Sequence, residues 1–168
     1  DYIANASLTS LLNKKGNYVQ LAFNNVNRTP SANAMGITDF PIIGLRSIKK
    51  ENHLQLMAAT GNSRKAWKAS FAYQLINNYQ YYSNGYNAAV YQGTIHYINA
   101  QLANQFKLST HWNWYNEVHL QLVDASSPLR VPTVLTRQRI AFEGVFYKNL
   151  NMSTGLEFIY HSNYKANF

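Results

Sequence analysis

The sequence contains no cysteine, which excludes a disulfide scaffold and any thiolate-ligated metal site. Charge is scarce. Only 13% of the 168 residues are charged, about half the usual share. Disordered chains are rich in charge and poor in aromatics, so that class is excluded as well. No apolar run approaches the ~20 residues of a membrane-crossing helix. The four prolines, Pro30, Pro41, Pro128 and Pro132, fall between the periodic segments, as a sheet protein requires. There is no Gly-x-Ser-x-Gly, no glycine-rich phosphate loop and no serine with a local His/Asp setting. An enzyme is therefore not expected, nor is a cofactor. A basic-then-apolar leader is missing from the start of the chain, and a secretion signal already removed is the expectation.

What the chain does hold is aromatic and amide side chains. It has 13 Tyr, 8 Phe and 3 Trp, with a net charge of +8 and a mean hydropathy of −0.33. Two classes give that balance. One is a soluble β-sandwich or barrel. The other is an outer-membrane barrel, in which lipid-facing and water-facing residues alternate and the average cancels.

Periodicity favours strands. Trp112, Trp114, Val118, Leu120 and Leu122 share one parity, and His111, Asn113, Tyr115, Glu117, His119 and Gln121 the other. A period of two is a strand. Ile140, Phe142 and Phe146 oppose Arg137, Arg139 and Glu143; Leu150, Met152, Leu156 and Phe158 oppose Asn151, Ser153 and Glu157; Trp67, Phe71, Tyr73 and Leu75 oppose Lys68, Ser70 and Gln74. Weaker alternation covers 2–13, 17–25, 46–60 and 93–106. The sum is about eight antiparallel strands of ~10–15 residues, longer than the five or six of ordinary globular strands and long enough for a tilted membrane crossing.

Connections alternate in length. Short turns are expected at Lys14–Gly16, Gly61–Arg64, Phe106–Ser109 and Lys148–Asn149, and long ones at 26–45, 80–92 and 125–135. Short periplasmic turns and long extracellular loops are the outer-membrane arrangement. Trp67, Phe106, Trp112, Trp114, Phe146 and Tyr147 all stand near the short turns. They form a candidate interfacial girdle, where a flat ring with a polar edge is most favourable. The whole chain, 1–168, reads as one outer-membrane barrel domain. Strand 1 descends into a short turn and strand 8 rises from one, so both ends would lie outside. Secreted barrels normally begin and end in the periplasm, and the domain is expected to be incomplete at both ends.

Several segments are similar to a known family. Ser70–Tyr82, Gln105–Leu108, Pro132–Arg139, Phe146–Glu157 and Tyr160–Asn167 resemble, in order and spacing, the putative porin family of Bacteroidota. The resemblance runs over 66–168. In 1–65 it rests on Asn27-Arg28-Thr29-Pro30. Ser162-Asn163 departs from the family pattern, which usually has Pro there. The resemblance implies a transmembrane β-barrel in the bacterial outer membrane and no catalytic residue.

The candidate lumen-lining residues are Lys68, His111, Glu117, His119, Arg137, Arg139, Glu143 and Glu157. His111, Glu117 and His119, with Glu143 from a neighbouring strand, would suit a divalent ion. Hydrated barrel interiors carry such residues routinely, so no metal is assigned. The basic members would bias a pore towards anions, unless they form a ladder in which Arg139 and Glu157 pair across strands. Lys14, Lys15, Arg64, Lys65, Lys107 and Lys148 fall at the short turns, which suits anionic headgroups or a periplasmic partner rather than nucleic acid. The expected function is porin-like passage of small polar solutes. A structural piece of a larger outer-membrane assembly is one alternative. The other is a soluble barrel binding a ligand or carbohydrate. Outer-membrane lipid or lipopolysaccharide is the expected partner, with other membrane or periplasmic proteins of a complex. If the parity of Trp112 and Leu120 faces outward in a continuous band, the membrane readings stand.

Overall fold

A computed structural model describes residues 1–29, 50–83, 87–146 and 149–164 of the chain. Those residues form eight strands: β1 (Tyr2–Leu11), β2 (Asn17–Arg28), β3 (Glu51–Asn62), β4 (Trp67–Ser83), β5 (Asn87–Lys107), β6 (Trp112–Val123), β7 (Val134–Phe146) and β8 (Leu150–His161). They make one antiparallel sheet in sequence order, β1 to β8, and among the described residues there is no helix. The all-β fold expected from the period of two is what forms. The sheet is an open arc: β1 pairs only with β2, β8 only with β7, and the two do not touch.

Local sequence sets the short turns. Asn13 Oδ1 accepts the Lys15 N–H at 3.0 Å, and Gly16 takes φ 87°, a left-handed conformation that costs glycine nothing. Asn62 Oδ1 accepts both the Arg64 and Lys65 N–H groups, at 2.9 and 2.8 Å. That is the side-chain mimicry of a turn at which asparagine excels.

The opposite end departs from expectation in one place. The segment 80–92 is not a long loop. β4 runs on to Ser83 and β5 starts at Asn87, so the two are 17 and 21 residues long. A crossing needs only about 9–11 residues. β3 pairs with β4 only as far as Asn77, and β6 with β5 only from Tyr97. The excess therefore stands beyond the sheet as a two-stranded ribbon, Tyr79–Ser83 against Asn87–Tyr91. A bulge at Asn78, φ 55°, marks where it leaves the sheet; asparagine tolerates that conformation better than most residues. Alternation in this stretch is blurred by tyrosines that suit either face, so the strand ends were not legible. The connection expected at 125–135 spans 124–133. Most of the one expected at 26–45 lies outside the described residues.

The sheet has two unlike faces. One carries Leu8, Leu21, Leu56, Phe71, Leu102, Leu120, Ile140 and Leu156, one from each of the eight strands and all of the same outward parity. These are among the most exposed large side chains, Leu120 at 52% and Phe71 at 49%. Buried Ala59, Ala72, Ile76, Ile95, Ala141 and Glu51 all belong to the other parity. That face converges and hides its side chains, while the apolar face diverges and shows them. A water-soluble sheet would do the reverse.

The apolar band has limits. On β4 its outward residues run Trp67, Ala69, Phe71, Tyr73 and Leu75, and the next is Asn77. Asn25, Asn27, Asn52 and Thr94 continue this polar border at one end, with Asn52 Nδ2 donating to Asn25 Oδ1 at 2.8 Å and Thr94 Oγ1 to Asn77 Oδ1 at 2.7 Å. About nine residues from Trp67 to Leu75 span roughly 27 Å along the strand, or about 20 Å along the normal at the usual ~40° tilt. That is close to the ~25 Å apolar belt of outer-membrane barrels.

Candidate functional site: the inward face

The inward face is a set of polar rows, one residue per strand. Tyr18, Gly61, Lys68, Ala103, Glu117 and Arg137 share one row. Gln20, Ala59, Ser70, Gln101 and His119 form the next, and Asn24, Gln55, Gln74 and Tyr97 another. Side-chain hydrogen bonds link neighbouring strands on this face. Asn24 Nδ2 donates to Gln55 Oε1 at 2.9 Å, and the Tyr97 hydroxyl donates to Gln121 Oε1 at 3.0 Å. Gln74 Nε2 lies 2.9 Å from His53 Nδ1. Half-hidden amides cost free energy unless bonded, so the rows satisfy one another while leaving atoms for water.

The acids of this face are all engaged. Glu117 accepts from the Gln101 amide and lies 3.1 Å from His119 Nε2. Glu143 accepts from the Tyr115 hydroxyl at 2.7 Å and from Asn113 Nδ2 at 2.8 Å. Glu51 is buried, 2.9 Å from Arg28 Nη2 and 3.1 Å from His53 Nε2. Nearby Tyr79, past the bulge, has its hydroxyl pKa raised, chiefly by burial and then by the Glu51 charge, with Arg28 opposing.

The expected Arg139–Glu157 pair does not form. The two are opposite in register, yet Glu157 Oε2 accepts Nε and Nη2 of Arg137, at 2.9 and 2.7 Å. Long side chains reach the diagonal neighbour as easily as the direct one. Arg139 instead donates to Ser153 Oγ at 3.2 Å and lies over the Tyr115 ring, 5.5 Å from its centroid.

Of the sequence candidates, Lys68, Glu117, Arg137 and Arg139 line one hollow of about 520 Å³ together with Tyr18, Gln105 and Tyr115. His119, Glu143 and Glu157 lie on the same face beside it. His111 does not join them. It lies in the turn before β6, and its ring stacks on Phe142 at 5.6 Å, on the apolar side. Parity stops being a guide once the chain leaves the strand. With His111 apart and Glu143 held by Tyr115 and Asn113, the four do not gather; among the described residues no group of three His, Asp or Glu side chains is placed to hold a metal. Sequence reasoning missed Tyr18, Gln105 and Tyr115, whose signal was their inward parity.

The girdle residues divide. Phe106 and Trp114 meet on the apolar face at 5.7 Å, and Trp112 meets Phe142 edge-on at 5.5 Å. Trp114 Nε1 donates to Gln138 Oε1 at 3.1 Å, so the indole satisfies its polar edge while its ring stays exposed on the apolar face. Trp67 has the same outward parity at the start of β4 and borders the hollow. The Phe146 side chain and Tyr147 lie outside the described residues.

A family model described as "Putative porin" matches residues 1–168. The chain belongs to that family. The match takes in 1–65 as well as the half where the sequence resemblance is fullest. No curated protein matches the chain, and no solved structure does. Membership in a porin family points to an outer-membrane protein with a transport or structural role rather than a catalytic one. No helix among the described residues is long and apolar enough to cross a membrane.

Proposed function

We propose that the chain is part of the wall of an outer-membrane pore that passes small polar solutes by diffusion. The observation that carries this reading is the inside-out sheet: large apolar side chains exposed on one face, hydrogen-bonded polar rows on the other. The apolar face meets lipid and the rims meet headgroups or lipopolysaccharide. The polar face bounds water. Selection is then by size and by the charge of wall residues, with no turnover. Porin family membership supports it. The unpaired outer edges of β1 and β8 favour eight strands as an arc of a larger barrel, since proteins do not leave long edges open. The same edges support a second reading, in which the arc is held within a multi-protein outer-membrane assembly.

Vesicle swelling tests the first reading. Liposomes carrying the full-length protein should swell in isosmotic arabinose and glucose, and more slowly in a trisaccharide. Failure to swell in any sugar, with the protein inserted and folded, would reject passage and leave the structural reading.

A further inference from the structure

The hollow on the inward face holds two cations without a carboxylate partner among the described residues. It is walled by Tyr18, Lys68, Gln105, Tyr115, Glu117, Arg137 and Arg139. Each carboxylate around it meets at least one donor. Glu117 is met by Gln101 and His119, Glu143 by Tyr115 and Asn113, and Glu157 by two nitrogens of Arg137. Lys68 has no carboxylate within salt-bridge distance among the described residues, and neither has Arg139, because Glu157 is drawn to Arg137. An ammonium offers three N–H groups and a guanidinium five. Arg139 uses one on Ser153 and rests a face on Tyr115. That contact holds the guanidinium in place while leaving its edge open. Arg137 keeps its Nη1 group clear of Glu157. Lys68 and Arg137 stand in one row, on β4 and β7. Three strand spacings separate them, about 14 Å between backbones, and both side chains line the same hollow.

We propose that this hollow is a binding subsite for a small organic anion, carboxylate or phosphate, held between Lys68 and Arg139 with Arg137 as third donor. Cationic donors without a carboxylate partner recognise an acceptor-rich ligand. Planar guanidinium edges suit carboxylate and phosphoryl oxygens in particular. The inference rests on the polar face bounding water, as proposed above, but not on solute passing through.

Titration calorimetry of the full-length protein in detergent micelles tests it directly, with inorganic phosphate, D-gluconate and D-glucose as probes. Saturable millimolar binding of phosphate, of gluconate or of both is expected, at least fivefold tighter than glucose. Whichever anion binds names the source. Lys68→Gln and Arg139→Gln should each weaken binding at least fivefold, and Lys68→Arg should retain it. Folding of each variant is checked by heat-modifiable gel mobility. Equal binding of gluconate and glucose, or unchanged binding in both glutamine variants, would overturn the subsite. Anion binding without vesicle swelling would keep the subsite and reject passage; swelling without anion preference would do the opposite.

Discussion

Phe71→Arg puts the orientation of the sheet to the test. Phe71 is central among the five outward residues of β4 from Trp67 to Leu75, and 49% of it is exposed. If that face meets lipid, the substitution places a guanidinium near the bilayer midplane, at a cost of ~2–4 kcal/mol in a barrel. A fully buried Phe contributes about 1.5–3 kcal/mol. Roughly half of that comes from the exposed part of the ring, which adds about 1 kcal/mol to the loss. The expected destabilisation is about 3–5 kcal/mol, roughly two to four powers of ten in the folding constant. Ser70→Arg, one residue away, points inward. It loses only the Ser70 Oγ–Gln101 Oε1 bond of 3.2 Å, about 0.5–1.5 kcal/mol. Lys68, two residues along the same face, already carries a cation there. Urea titration in lipid vesicles, followed by tryptophan fluorescence and heat-modifiable mobility, gives both values. Equal shifts, or a larger one for Ser70→Arg, would show that the apolar face does not meet lipid.

The remaining predictions concern topology and strand packing. Cysteines replacing Ser63 and Ser126, exposed at opposite ends of the strands, should differ in labelling by an impermeant maleimide on intact cells, Ser126→Cys reacting and Ser63→Cys not. Equal labelling would contradict the assignment of short turns to the periplasm. Gly155→Ala should destabilise by ~1–3 kcal/mol, as overpacking does, because an added Cβ would stand 2.3 Å from the Ile140 carbonyl oxygen and 2.8 Å from Ala141 Cα; an unchanged urea midpoint would show that β7 and β8 are not paired in this register.

The sequence alone determined the strands and their two faces. Alternation fixes which residues share a side, because successive side chains in a strand must point oppositely, and that much could be read at Trp112–Leu122 and at Leu150–Phe158. Short turns were legible where Asn13, Gly16 and Asn62 supply the geometry. Tertiary structure decided the rest. Which face converges depends on the sign of curvature across eight strands, and no single strand carries that information. Ion-pair partners depend on register and twist together, so Arg137 rather than Arg139 holds Glu157. The reach of β4 and β5 beyond their neighbours follows from where β3 and β6 end, which residues in β4 and β5 do not encode. The hollow exists because Lys68, Gln105, Tyr115 and Arg139, on four different strands, are brought together only by the register of the pairing.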